Sequence, residues 1–213
     1  DRFTGSVTWR HSFFGDYETR VGLFYEGRSG RPFSYIFRND ANGDSGGFND
    51  LFYVPNGPGD VVFTGGAAME ASFFAWLEQN PELMAYQGQI APANAFRTEW
   101  VNSFDVRITQ ELPGFAEGHK SVLALDIMNI GNLLNEDWGL IEDYGFNSTQ
   151  QLANYAGICG PTTTLAACAG NEGRYVYHWT GPGTGAQIQE NNNDKGNTAV
   201  SRWSVMLSFK YQF

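Results

Sequence analysis

The chain has 213 residues, a net charge of −10, 15% aromatic residues, 26 glycines and a mean hydropathy of −0.35. That length suits one domain of ordinary size, and the acidic balance leaves no basic stripe to neutralise phosphates, which excludes nucleic acid as a partner. The apolar residues never pool into the roughly 18-residue run of a membrane helix, so any crossing of a bilayer has to be made by strands.

Alternation predicts a first strand over 5–13, with Val7, Trp9 and Phe13 on one face and Ser6, Thr8, Arg10 and Ser12 on the other. Phe14-Gly15-Asp16-Tyr17 reads as a tight turn, after which Thr19, Val21, Leu23 and Tyr25 oppose Arg20, Gly22, Phe24 and Glu26. Residues 29–96 then lose the pattern, apart from a predicted helix over 67–79 whose stripe is Met69, Phe73, Trp76 and Leu77, ending before Asn80-Pro81. Strand pattern returns over 97–112, where Trp100, Phe104, Val106 and Ile108 alternate with Asp105, Arg107, Thr109 and Glu111. A short connection over 113–119 leads to a strand over 120–128, and a bulge or strand exit is expected at Asn129-Ile130-Gly131. A second irregular stretch, 134–197, holds both cysteines, a polar run from Asn191 to Asp194 and a short strand predicted over 174–179. The chain closes on 201–213, with Trp203, Val205, Leu207, Phe209, Tyr211 and Phe213 on one side and Arg202, Ser204, Met206, Ser208, Lys210 and Gln212 on the other.

The connections run short, long, short, long, the asymmetry of outer-membrane barrels with short periplasmic turns and long extracellular loops. The expected fold is therefore all-β: about five antiparallel strands forming the C-terminal segment of a large transmembrane β-barrel, with two long extracellular loops, one carrying a short helix. Five strands fall short of the roughly 8 that close the smallest bacterial barrels, so residues 1–213 are expected to be the C-terminal part of a larger one. Val7, Trp9, Val21, Leu23, Phe104, Val106, Leu123, Leu125, Val205, Leu207 and Phe209 are then predicted to face lipid. Glu26, Arg28, Asp105, Arg107, Asp126, Arg202 and Lys210 are predicted to face a hydrated lumen, mostly bridging one another.

No catalytic constellation emerges, since His11, His119 and His178 lie far apart and no phosphate loop or nucleophile motif is present. No enzymatic activity is expected. Cys159 and Cys168 sit close together with no further Cys or His beside them, which predicts a disulfide and an oxidising compartment. Asp40, Asn42 and Asp44 alternate like the opening of a calcium loop, with Asn49 or Asp50 to close it, and so form a candidate calcium site. Leu51 stands where an EF-hand has its bidentate Glu, and a plain Asn/Asp/Gly turn explains the same residues. Trp138, Tyr144, Phe146, Tyr175, Tyr177 and Trp179 are placed where they stack on a ligand or pack the loop itself.

The final strand ending on Phe213 resembles the C-terminal strand of Gram-negative outer-membrane barrels. The run from Asp126 through Asn129, Gly131 and Asn132 to Asn135 resembles the large TonB-dependent receptors. Asp40-Ala-Asn-Gly-Asp followed by Asn49-Asp50-Leu51 and Tyr53-Val54-Pro55, then Tyr86-Gln87-Gly88-Gln89-Ile90-Ala91, then Ser201-Arg202-Trp203 together resemble the Oar-like branch. The resemblance implies an outer-membrane location in a Gram-negative bacterium and a barrel of about 22 strands with an N-terminal plug. It further implies energised uptake or passage of an extracellular substrate through contact of the plug with the TonB complex. A passive porin or a secretion or adhesion barrel is the alternative, and a soluble, secreted all-β carbohydrate-binding domain is the second.

Overall fold

A computed structural model describes residues 1–161, 164–188 and 201–213; the Asn191 to Asp194 run lies outside them. The described chain is mostly antiparallel β-sheet with few helices, an all-β fold. It divides into two units, one formed by 1–30, 99–142 and 188–213, the other by 31–98 and 143–187.

The first unit is a five-stranded sheet. Its members are β1 (Arg2–Phe14), β2 (Tyr17–Arg28), β3 (Val101–Pro113), β4 (Lys120–Met128) and β5 (Ser204–Gln212), paired in that order. Every pairing is antiparallel. Gly15, at φ +62°, makes the two-residue turn between β1 and β2, a conformation open to glycine at no steric cost. Because the side-chain period is two, this register fixes the faces. Val7, Leu23, Val106, Ile127 and Val205 form one cross-strand row, and Trp9, Val21, Ile108, Leu125 and Leu207 the next.

The second unit corrects the expectation of irregular structure over 29–96 and 134–197. The two segments fold together: Pro32–Ile36 pairs with Thr149–Gln151 in parallel and with Phe96–Arg97 antiparallel. Tyr175–His178 likewise pairs with Asn154–Ile158 antiparallel and with Val62–Phe63 in parallel. The strand expected over 97–112 is divided accordingly. Its Phe96–Arg97 end joins this unit, and β3 starts only at Val101.

An aromatic core draws these pieces together, since two- to five-residue strands bury too little to hold by backbone pairing alone. Phe33, Tyr35 and Phe37 pack with Phe52, Phe63, Phe73, Tyr177 and Trp179. Edge-on contacts recur, as between Phe37 and Tyr177 at 5.3 Å and Phe73 and Trp179 at 5.1 Å. The helix Gly66–Leu77 supplies Phe73 and Leu77 as its buried stripe, close to the predicted 67–79.

A polar knot closes the first unit where the strand exit was expected. Asn129 takes the left-handed conformation, at φ +50°, and starts the short helix Ile130–Leu134 instead of a bulge. Its backbone N–H donates to Asp105 Oδ1 at 2.8 Å, and its amide donates to the carbonyls of Gly139 at 3.0 Å and Ser201 at 3.3 Å. Ser201 is fully buried, and its Oγ accepts the Ile141 N–H at 3.0 Å. Asn132 donates to the carbonyls of Glu136 and Trp138, while its Oδ1 accepts the Trp203 N–H at 3.3 Å. Two asparagines thus tie 136–141 to the residues that open β5. Asn129→Ala strands buried carbonyls, each costing about 1–3 kcal/mol, so its midpoint of denaturation should fall clearly below that of the parent. Gly139→Ala should do the same, since a Cβ there runs into the Asn129 side chain at φ +65°. Unchanged melting of both variants would show that the knot contributes nothing.

Candidate functional site

The two faces of the five-stranded sheet differ in chemistry. One carries the aliphatic rows just described and is exposed, Val7 at 69% and Leu207 at 68% of full accessibility. Aromatic rings bracket those rows at both strand ends. At one end Phe3 lies 5.9 Å from Trp100 and Tyr25 4.9 Å from Phe104. At the other, His11 stacks on Trp9 and meets Phe13 edge-on, and Tyr211 packs between Phe115 and His119, whose Nδ1 is 2.7 Å from the Tyr211 hydroxyl.

The opposite face is polar and ion-paired. Arg107 and Asp126 are cross-strand partners, Nη1 to Oδ1 3.5 Å. Glu26 sits between Arg2 at 2.7 Å and Arg28 at 3.8 Å, and Lys120 reaches Glu111 at 3.8 Å. Asp105, Arg107, Asp126 and Lys210 share this side of the sheet with Glu26 and Arg28, as alternation from the paired register requires. In these pairs the cations are the better-exposed partners and the carboxylates the more covered ones, Asp126 being buried, so charge is neutralised where water is scarcer and the face stays compatible with water.

In the second unit the residues proposed for calcium do come together in one turn. There they meet N–H donors. Asp40 accepts the backbone N–H groups of Gly43 at 2.7 Å and Ser45 at 2.8 Å, and Asp50 accepts that of Ala41 at 2.7 Å. Asp44 accepts the Gly46 N–H through Oδ1 and the amides of Asn42 and Asn49 through Oδ2. The Gly46 bond, then the Asn42 amide, holds the Asp44 carboxyl below its ordinary pKa. Each carboxylate is therefore stabilised by the chain's own donors, the arrangement of an Asx turn. Among the described residues no three His, Cys, Asp or Glu side chains converge as a metal site.

Cys159 and Cys168 form a disulfide, Cα to Cα 5.2 Å, packed with Val62 and Val176. Backbone bonds from Gly173 N to Cys159 O at 2.7 Å and Cys159 N to Arg174 O at 2.8 Å close a wider loop, 159–174, around the disulfide.

The loop aromatics separate into roles that sequence left open. Tyr177 and Trp179 belong to the core, and Tyr144 packs on Phe33 at 4.2 Å. Phe146 is fully exposed. Trp138 lies in the first unit, beside a pocket of about 410 Å³ that Trp100, Phe104 and Glu142 also line. Burial, then Glu99, raises the Glu142 carboxyl above its usual range.

Tyr175 opens onto the largest described cavity of the second unit, about 620 Å³. Tyr53, named from sequence only as part of the Tyr53-Val54-Pro55 motif, and Tyr155, not singled out at all, line it with Tyr175; Phe37 and Tyr177 also contribute, and Asn42, Asn49 and Asp50 supply its polar lining. The Tyr53 hydroxyl donates to Asp60 at 2.8 Å, and burial together with that carboxylate pushes its pKa up to about 12. No known protein family, curated protein or solved structure matches the chain.

Proposed function

We propose that residues 1–213 are the C-terminal barrel segment of an Oar-like, TonB-dependent outer-membrane receptor that takes part in energised uptake or passage of an extracellular substrate. The observation that carries this reading is the aliphatic band that runs across five strands, exposed on the edge strands and mostly half-buried on the inner ones, and bracketed by aromatic rings at both ends. Phe3 to Phe13, the band together with its bracketing rings, spans about 33 Å at roughly 3.3 Å per residue. Tilted by about 40°, that length, rings included, rises about 25 Å, on the scale of the apolar belt of an outer-membrane barrel. A soluble domain that left such a face in water would carry a strong liability to associate.

The ion-paired face suits a hydrated lumen. The edges of the sheet, β1 and β5, leave backbone groups that further strands of a closed barrel would satisfy. In this arrangement both short turns lie in the periplasm, and the disulfide-bonded unit of 31–98 and 143–187 lies outside the cell, where it meets substrate. The energised step rests on the resemblance of the Asp40 to Ala91 and Asp126 to Asn135 motifs, and is assigned to a plug that contacts the TonB complex. A calcium ion at the Asp40 to Asp50 turn is a separate proposal, in which it would share these carboxylates with the N–H donors that engage them.

Single cysteines placed in the full-length receptor test the orientation. At Val106 and Leu207 they should react with a probe confined to lipid, while at Arg107 and Ser208 they should react only with a water-soluble one. The reverse pattern, or labelling of all four from water, would end the membrane assignment.

A further inference from the structure

We propose that the tyrosine-lined cavity of the second unit is a binding site for an organic cation, an alkylammonium or guanidinium group such as a Lys or Arg side chain of a peptide presents. The inference deepens the receptor reading by naming a substrate class, and it rests on that reading only for the word substrate.

The aromatic geometry comes first. Tyr175 stands nearly perpendicular to Tyr155, 71° at 5.9 Å, and to Tyr53, 68° at 6.1 Å. Two right-angled corners of aromatic ring therefore share one wall of the cavity, which is the way aromatic cages surround a cation and present it with negative ring faces. Tyr53 and Tyr175 are held from beneath: the Tyr53 carbonyl accepts the hydroxyl of buried Tyr177 at 3.0 Å, and the strand bearing Tyr175 is paired on both sides. Asn39 clamps Tyr155 through both backbone groups, each at 2.8 Å. The walls are thus fixed before a ligand arrives, which lowers the cost of ordering on binding.

The charges point the same way. Among the described residues no Lys, Arg or His lines the cavity, whereas Asp50 does, nearly buried and with Oδ2 held by a single N–H from Ala41. The arginines of the unit with described partners are turned to other work: Arg31 pairs with Asp143 at 2.8 Å, Arg38 donates to Thr180 and Gly181, and Arg174 donates to the Gly59 carbonyl. An anionic ligand would meet no cationic side chain in this lining. A neutral sugar could stack on the rings but would leave the Asp50 carboxylate without a matching charge. The cavity volume lies in the range of small-ligand sites, which is ample for one cationic side chain and its neighbours.

Calorimetric titration of the disulfide-intact, full-length receptor in detergent tests the site, using arginine amide and tetramethylammonium as probes, with methyl glucoside and acetate as neutral and anionic controls. Both cations should bind, and both controls should not. Tyr175→Leu, which removes the shared wall, should weaken arginine amide about tenfold. Tyr175→Phe should stay within about twofold, because the ring is kept and the Tyr175 hydroxyl makes no hydrogen bond among the described residues. Binding of methyl glucoside alone, or of no probe, would overturn the proposal, as would equal effects of Leu and Phe. Flotation of the same preparation with lipid vesicles reads the receptor assignment separately, so a protein that floats and does not bind cations refutes only the site.

Discussion

Replacing Phe52 with Ala should cost about 3–5 kcal/mol and collapse the unit of 31–98 and 143–187 while the five-stranded sheet stays folded. Phe52 is completely buried and touches Phe37 at 4.9 Å, Tyr177 at 5.5 Å and Phe73 at 6.2 Å. These rings come from both long segments, so the cavity left by truncation lies where the two are joined. The backbone of Phe52 is also committed, its N–H to the Tyr35 carbonyl at 3.0 Å and its carbonyl to the Ala91 N–H at 2.9 Å. With strands of only two to five residues, side-chain packing supplies most of what holds this unit. Hydrogen exchange on the intact receptor should show protection lost around 33–37, 52–54, 62–63 and 175–179 and retained in β1 to β5. Uniform loss in both units would mean that they unfold as one, against their division into separate compact bodies.

That contrast also explains what sequence revealed. β1 to β5 were legible because each runs nine to thirteen residues with one face mostly apolar, and a register slip of one residue would invert every side chain. The second unit was not legible, because its pairings join residues more than a hundred positions apart, as Ser34 with Thr149 and Val62 with Val176. Short strands with no sustained period leave local pattern nothing to detect. The helix over 66–77, whose stripe of Phe73 and Leu77 repeats at helical spacing, and the strand expected over 174–179 and found at Tyr175–His178 were the exceptions.

Site residues divide in the same way. Tyr175 was visible as a loop aromatic, but Tyr53 and Tyr155 gain meaning only when strand pairing sets 155 beside 175 and core packing brings 53 to them. The Asp40 to Asp50 turn was visible as a cluster of oxygens. What sequence could not show was that Gly43, Ser45, Gly46 and Ala41 aim their N–H groups at those oxygens, which changes the electrostatics from repulsion to satisfied acceptors. Asn129, Asn132 and Ser201 carried a signal as an Asn-rich stretch and as the opening of the last strand. Their joint burial as one knot needed the fold.

The apolar face supports a sharper prediction, because the two leading environments for it respond oppositely to charge. Leu207 lies in the row with Trp9, Val21, Ile108 and Leu125, near the middle of the aliphatic band, and is 68% exposed. In lipid, Leu207→Arg places a guanidinium near the bilayer midplane and should cost about 2–4 kcal/mol, enough to lower assembly into the outer membrane several-fold. In water the same substitution would be close to neutral, since a solvated arginine on an exposed strand loses no hydration. Ser208→Arg is the matched control: it sits one residue along, on the face that holds Arg107 and Asp126, opposite Ala124, and should assemble like the parent. Heat-modifiable mobility of membrane fractions reads folded barrel directly. Loss for Leu207→Arg with retention for Ser208→Arg places the aliphatic face in lipid, while equal folding of the two removes the reason for placing this sheet in a membrane at all.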